Sequence, residues 1–206
     1  MAASTTICIS HTTGAAGAEV GRLLAEQLGL RYVDDEVIGE AAEWAGLDPA
    51  FVADAERRKS FASRLLGGIG GQPGTRLPTG ETARALPSDA DLRALITDAV
   101  SAIVREGGAV IVAHAASFAV APGEALRVFV TASPARRGER HARDRNLGAD
   151  EAEQALRGED AGRADYLKRF YGVERELPTH YDLVVNTDAL SPAAAAAVVA
   201  AALDPR

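Results

Sequence analysis

Apolar residues along the chain fall into short runs and longer helically spaced stretches, and their alternation predicts the fold. Residues 6–10 (TICIS) form the first run, with Ile7 and Ile9 suited to one face of a strand and Cys8 to the other. Val20, Leu23, Leu24 and Leu28 then recur at helical spacing, and Gly29 is placed to stop that helix. Residues 30–34 read as a second short strand. Asp35 caps a helix bearing Val37, Ile38, Ala41, Ala42 and Trp44, and Asp48-Pro49 opens another through Phe51, Val52 and Ala55. Ser88 caps a helix through Ile96, Val100, Ile103 and Val104, which Gly107-Gly108 ends. The run 109–113 is continuously apolar, 126–131 and 182–186 are mostly so, and all three are of strand length. Ser133-Pro134 and Ser191-Pro192 are helix starts, and a further helical run begins at Asp150.

Five such strands bracketed by helices predict a doubly wound α/β domain, a parallel sheet covered on both faces. Its ligand is expected beyond the carboxyl ends of the strands. The whole chain, 1–206, reads as a single domain without internal repeats. Between residues 66 and 87 glycine and proline accumulate and no periodic apolar pattern survives, which predicts a flexible loop or insertion tip.

Bulk composition narrows the function classes. The chain has 206 residues, 47% hydrophobic and 25% charged, enough for a sizeable core. A net charge of −7 argues against a general nucleic-acid or anionic-membrane surface. The single Cys8 excludes an intramolecular disulfide and fits a reducing cytoplasm. No stretch reaches the ~18–20 apolar residues of a membrane span. The opening residues have no basic n-region, so no secretory signal is expected. Oligomeric state is not legible.

The candidate chemistry starts where the first strand meets the first helix. The loop His11-Thr-Thr-Gly14-Ala15-Ala16-Gly17 aims free backbone N–H groups and a helix dipole at one point, a ready-made anion site whose usual occupant is phosphate. The helix after Ser133 carries Arg136, Arg137, Arg140, His141, Arg143 and Arg145, with Arg136, Arg140 and Arg143 on one face. That face either repels itself until an anion binds or is a solvated face balanced by Glu139 and Asp144. His11 reads equally as a loop-packing residue or a phosphate contact. No set of residues has metal-ligand spacing beyond a loose His11, His114 and Asp34 grouping, so no metal site is expected. Ser10 reads as a hydrogen-bonding residue at a strand end, Tyr166, Phe170 and Tyr171 as packing residues, and His141 and His180 as surface groups.

These motifs, in this order and spacing, resemble the cytidylate kinase-like family of the P-loop nucleoside monophosphate kinases. The resemblance rests on Ile9-Ser10 with Gly14-x-x-Gly17-x-Glu19-Val20-Gly21, and on Tyr32-Val-Asp34-Asp-Glu36-Val-Ile38. It continues in Val110-Ile-Val112, Arg127-Val-Phe-Val130, Arg136 and Arg140, and in Asp160-x-x-Arg163-x-x-Tyr166-x-x-x-x-Tyr171-Gly172, Tyr181-Asp182-Leu183 and Asn186-Thr187. It implies a P-loop-type sheet with a helical lid over 133–172, ATP and Mg²⁺ as cofactors, and a nucleoside monophosphate, CMP by default, as acceptor. Gly14, Ala15, Ala16, Gly17, Ala18 and Glu19, with His11, would wrap the donor phosphates. Arg136, Arg140 and Arg163 would be the catalytic cations, and Asp34, His114, Asp160 and Arg163 would face the acceptor. Such transfer needs alignment of two phosphates and neutralised charge more than covalent chemistry.

The sequence departs from the full motif at its centre. A phosphate loop ends in Gly-Lys-Ser/Thr, and here Gly17 and Ala18 stand at the Lys and hydroxyl positions. Ala15 and Ala16 replace the Ser and Gly usual between the glycines, and His11 and His114 stand where relatives often carry Arg. Two functions therefore stay open: a nucleoside monophosphate kinase, or a nucleotide- or anion-binding regulatory protein with impaired catalysis.

Overall fold

The computed structural model describes residues 5–34, 89–113 and 115–203. The helices predicted after Asp35 and Asp48, the packing of Trp44, His114 and the Gly/Pro-rich segment 66–87 lie outside these residues. The elements run β1 (Thr6–His11), α1 (Gly17–Leu28), β2 (Arg31–Val33), α2 (Asp89–Glu106), β3 (Ala109–Val112), β4 (Leu126–Thr131), α3 (Pro134–Arg145), α4 (Ala149–Tyr171), β5 (Leu183–Asn186) and α5 (Pro192–Ala201). The five strands form one parallel sheet in the order β2-β3-β1-β4-β5. The doubly wound reading is thereby borne out.

Local chemistry explains the boundaries. Gly29 ends α1 in the left-handed region (φ 65), its N–H closing on Ala25 O and Glu26 O, which a residue with a Cβ adopts only at a cost. Ser133 and Ser191 cap α3 and α5 through their side-chain oxygens, each with proline next.

Strand alternation sorts the core into two layers. Ile7, Ile9, Val128, Val130 and Val185 face α1 and α5, where Val20, Leu24, Ala195 and Val199 are sealed from water. Cys8 and Ile111 point the other way, against Ile96, Val100, Leu167 and Phe170 of α2 and α4. Tyr166 and Phe170 are buried there and Tyr171 packs on the same cluster, as their spacing suggested. Burial pushes the Cys8 thiol up to about 12, so it behaves as a small apolar group. Ser10, buried on the same side, donates to Ser117 Oγ (3.1 Å), which donates to Cys8 O (3.2 Å).

β1 lies at the middle of the sheet, with β3 on one side and β4 on the other. The chain reverses its direction of winding there, and in such sheets the crevice at the carboxyl ends of the central strands is where ligands bind. The loop after β1 opens into that crevice.

Candidate phosphate-binding site

Thr12 N–H still reaches Val130 O on β4 (3.2 Å) before the chain leaves the sheet, and Ala15 N–H turns back to Thr12 O (3.0 Å). Gly14 (φ 76) and Ala16 (φ 60) take left-handed conformations. Gly14 has no alternative: a Cβ there would stand 2.6 Å from Arg137 O and 2.9 Å from Arg137 Cα. Ala16, the residue before α1, makes no side-chain cap and pays about 1–2 kcal/mol for its left-handed angle. Ala16, read in the sequence as standing in the place of a glycine, thus falls on a strained turn.

The carbonyls of this loop are each held from behind. Arg137 Nη1 donates to Thr13 O (3.3 Å), Arg140 Nη1 to Gly14 O (3.3 Å) and Thr187 Oγ1 to Ala15 O (3.0 Å), while Val20 N–H takes Ala16 O (3.0 Å). In a planar trans peptide the N–H opposes the C=O. The amides of Gly14 and Ala16 are therefore turned away from α3 and residue 187, and that of Gly17 points out of the start of α1. They join the N–H groups of Ala18 and Glu19, which the first turn of a helix leaves unsatisfied. The result is a cluster of donors at the positive end of α1. Glu19 is exposed in that first turn.

The arginines of α3 divide by face. Arg136 is exposed and pairs with Glu139 (2.9 Å). Arg140 is half-buried, donating to Thr187 Oγ1 (2.9 Å) and Thr187 O (2.7 Å) as well as to the loop. Arg137 is the buried one, its guanidinium gripping both carboxylate oxygens of Asp160 (2.8 and 2.6 Å). His141, one turn on, is buried too, with Nε2 4.0 Å from Glu159 Oε1. The reading of His141 as a surface group is thus corrected: α3 packs along α4 on its Arg137–His141 side.

Asp160 and Arg163 meet, with Thr12, at a cavity of about 270 Å³ closed by residues 173–176. Arg163 is buried, held by Glu176 through two contacts (3.0 and 2.5 Å) and lying over the Phe129 ring. Burial alone would lower the Arg163 guanidinium, but the hydrogen bonds and charge of Glu176 outweigh it and hold it above its ordinary value. Tyr181, raised by burial and by Glu176, donates its hydroxyl to the same carboxylate and stacks on Phe129. Thr12 Oγ1 is buried with no hydrogen-bond partner among the described residues. Asp34 follows β2 at the edge of the sheet, two strands from β1.

Sequence reasoning missed Arg137, Glu176 and Thr187. Thr187 belonged to a recognised stretch, whereas Glu176 carried no signal, lying in irregular chain 13 residues after its partner. Among the described residues no three His, Cys, Asp or Glu side chains group as metal ligands, and no helix is long and apolar enough to cross a membrane.

Residues 6–189 match the model of the cytidylate kinase-like family. The chain is a member of that family. A cytidylate kinase from Ignicoccus hospitalis is 27% identical over 191 residues, 92% of this chain and 94% of its own. Among solved structures, an uncharacterized protein from Eubacterium ventriosum aligns with TM-score 0.68 at 14% identity, over 98% of this chain and 99% of the other. Shikimate kinase from Acinetobacter baumannii, solved with shikimate, aligns with TM-score 0.52 at 16% identity, over 97% and 92%. The two structural likenesses are of fold alone.

Proposed function

We propose that this family member is a phosphotransferase that moves the γ-phosphate of ATP to a nucleoside monophosphate, with a CMP-like acceptor. The observation that carries the reading is the loop 12–17, whose carbonyls are pinned from behind so that its amides gather at the start of α1. In this reading Gly14, Ala15, Ala16, Gly17, Ala18 and Glu19, with His11, hold the donor phosphates. Arg136 sits on the lid side, where its exposed pair with Glu139, worth under about 1 kcal/mol, would yield to a phosphate. Arg140 acts by positioning the loop it is bonded to. Asp160 and Arg163, which line one cavity, face the acceptor in this reading, the role the resemblance also implies for Asp34 and His114. Such a site works by holding reactants in line and offering preorganised donors to the developing charge.

The donor set suits a polyphosphate, whose many oxygens take many N–H groups at once. Mg²⁺ would arrive with the nucleotide, since Ala18 offers it no hydroxyl. A buried lone cysteine fits a reducing, cytoplasmic setting. A coupled ADP-release assay with Mg²⁺-ATP across CMP, dCMP, UMP, AMP and GMP tests the proposal, and no turnover with any acceptor at micromolar enzyme would overturn it.

Gly17 and Ala18 support a second reading, a nucleotide-binding regulatory protein that turns over poorly. Removing one preorganised donor or cation from such a site costs on the order of 10²–10³ in rate. Calorimetry beside the assay separates the two: tight nucleotide binding without turnover favours the second, and efficient turnover excludes it.

A further inference from the structure

Gly17 stands where a full phosphate loop carries lysine, and the structure gives a spatial reason for its lack of a side chain. A Cβ at residue 17 would lie 2.3 Å from both Cβ and Cγ of His11 and 2.6 Å from its Cδ2. The Cβ is fixed to the backbone, so no rotamer of His11 relieves that contact. Positions 11 and 17 therefore share one volume, at the end of β1 and the start of α1, and in this chain His11 fills it. The half-buried His11 ring has Nδ1 3.2 Å from Thr12 O, so Nδ1 carries a hydrogen in that contact. Its Cδ2 edge, next to Nε2, is the edge over Gly17.

We propose that His11 takes the place of the missing lysine as the side-chain contact of this loop to the phosphates of a nucleotide. The inference rests on the phosphate-loop reading above. In the doubly protonated ring Nδ1 donates to Thr12 O and Nε2 is a donor for a phosphate oxygen, which is the charge-assisted contact a lysine would make. A ring that merely packs over Gly17 would occupy the same volume, and substitution separates the two roles. His11→Phe keeps a ring over Gly17 and removes both nitrogens. His11→Arg keeps a donor and a charge. His11→Gly with Gly17→Lys vacates the shared volume and puts a lysine in the usual place.

The experiment is isothermal titration calorimetry of the full chain with Mg²⁺-ATP and with inorganic tripolyphosphate, which has no base to bind. Thermal melting of each variant checks that it folds. Wild type is expected to bind both probes, His11→Phe about tenfold or more weakly to both, and His11→Arg and the double variant near wild type. If His11→Phe does not melt cooperatively, His11→Asn, which retains a donor to Thr12 and deletes Nε2, carries the same expectation. A His11→Phe or His11→Asn protein that binds tripolyphosphate like wild type overturns the role of His11 and leaves the phosphate loop standing. A wild type that binds neither probe overturns both.

Discussion

Replacing Asp160 by alanine should cost more stability than replacing Arg137 by methionine, although Asp160 is much the more exposed of the pair. The Arg137 side chain is 8% exposed and that of Asp160 41%. Methionine at 137 retains most of the buried stem and leaves Asp160 a carboxylate that water can solvate. The loss is then that of two charge-assisted bonds partly replaced by water, about 1–2 kcal/mol. Alanine at 160 strands a buried guanidinium whose Nε already has no partner among the described residues and whose other contact is Thr13 O at 3.3 Å. Breaking a buried pair in that direction costs about 3–5 kcal/mol. The double variant should recover part of the loss, being more stable than Asp160→Ala alone. Urea unfolding at pH 7 measures all three, and in a chain of this size each kcal/mol is about 2–4 °C in Tm. Equal costs for the two single variants, or a double variant as unstable as the sum, would refute the assignment of Arg137 as a buried brace dependent on Asp160.

Three further outcomes follow from the same geometry. Arg163→Ala leaves Glu176, whose side chain is 17% exposed, without its cation, so chemical denaturation should show a loss of about 3 kcal/mol or more; an unchanged midpoint would contradict the pairing. Gly14→Ala should lower Tm well beyond Gly29→Ala, because both positions have positive φ but only Gly14 meets a backbone at 2.6 Å, with nothing within 4 Å of Gly29; equal shifts would contradict the close approach of the loop to α3. The hydrogen bonds from Arg127 to Asp182 (2.9, 3.1 and 2.7 Å) hold its carboxyl below the usual range. That stability is present above the unfolded carboxylate value of about 4 and is lost as pH falls through the lower folded value. Asp182→Asn should therefore narrow its stability deficit as pH is lowered from 6 to 3, whereas a deficit that stays constant would contradict the linkage.

The architecture was legible because its determinants are local. Buried strands of a parallel sheet announce themselves as apolar runs, and Gly29, Gly107-Gly108, Ser133-Pro134 and Ser191-Pro192 mark ends through backbone angles and caps that neighbouring residues decide. The site was legible as a place and less so as a set of contacts. Arg136 and Arg137 are adjacent, equally charged and on the same helix, and which one is buried depends on how α3 lies against α4 and on a loop more than 120 residues away in the chain. His141 escaped for the same reason, since a helix so polar shows no apolar stripe to orient it. The reason for Gly17 is a steric exclusion by His11 that no spacing rule contains. Glu176 joined Arg163 only through the path of the segment after α4.

The claim at the centre of this account is that a nucleotide polyphosphate lies on the amides at the start of α1. Titrating the ¹⁵N-labelled protein with Mg²⁺-ATP tests it directly through the amide resonances of the loop. The account predicts the largest shifts at Gly14, Ala16 and Gly17, with Gly29, Gly123 and Gly172 nearly still. Saturable binding that leaves Gly14, Ala16 and Gly17 unmoved, or no binding at all, would contradict it.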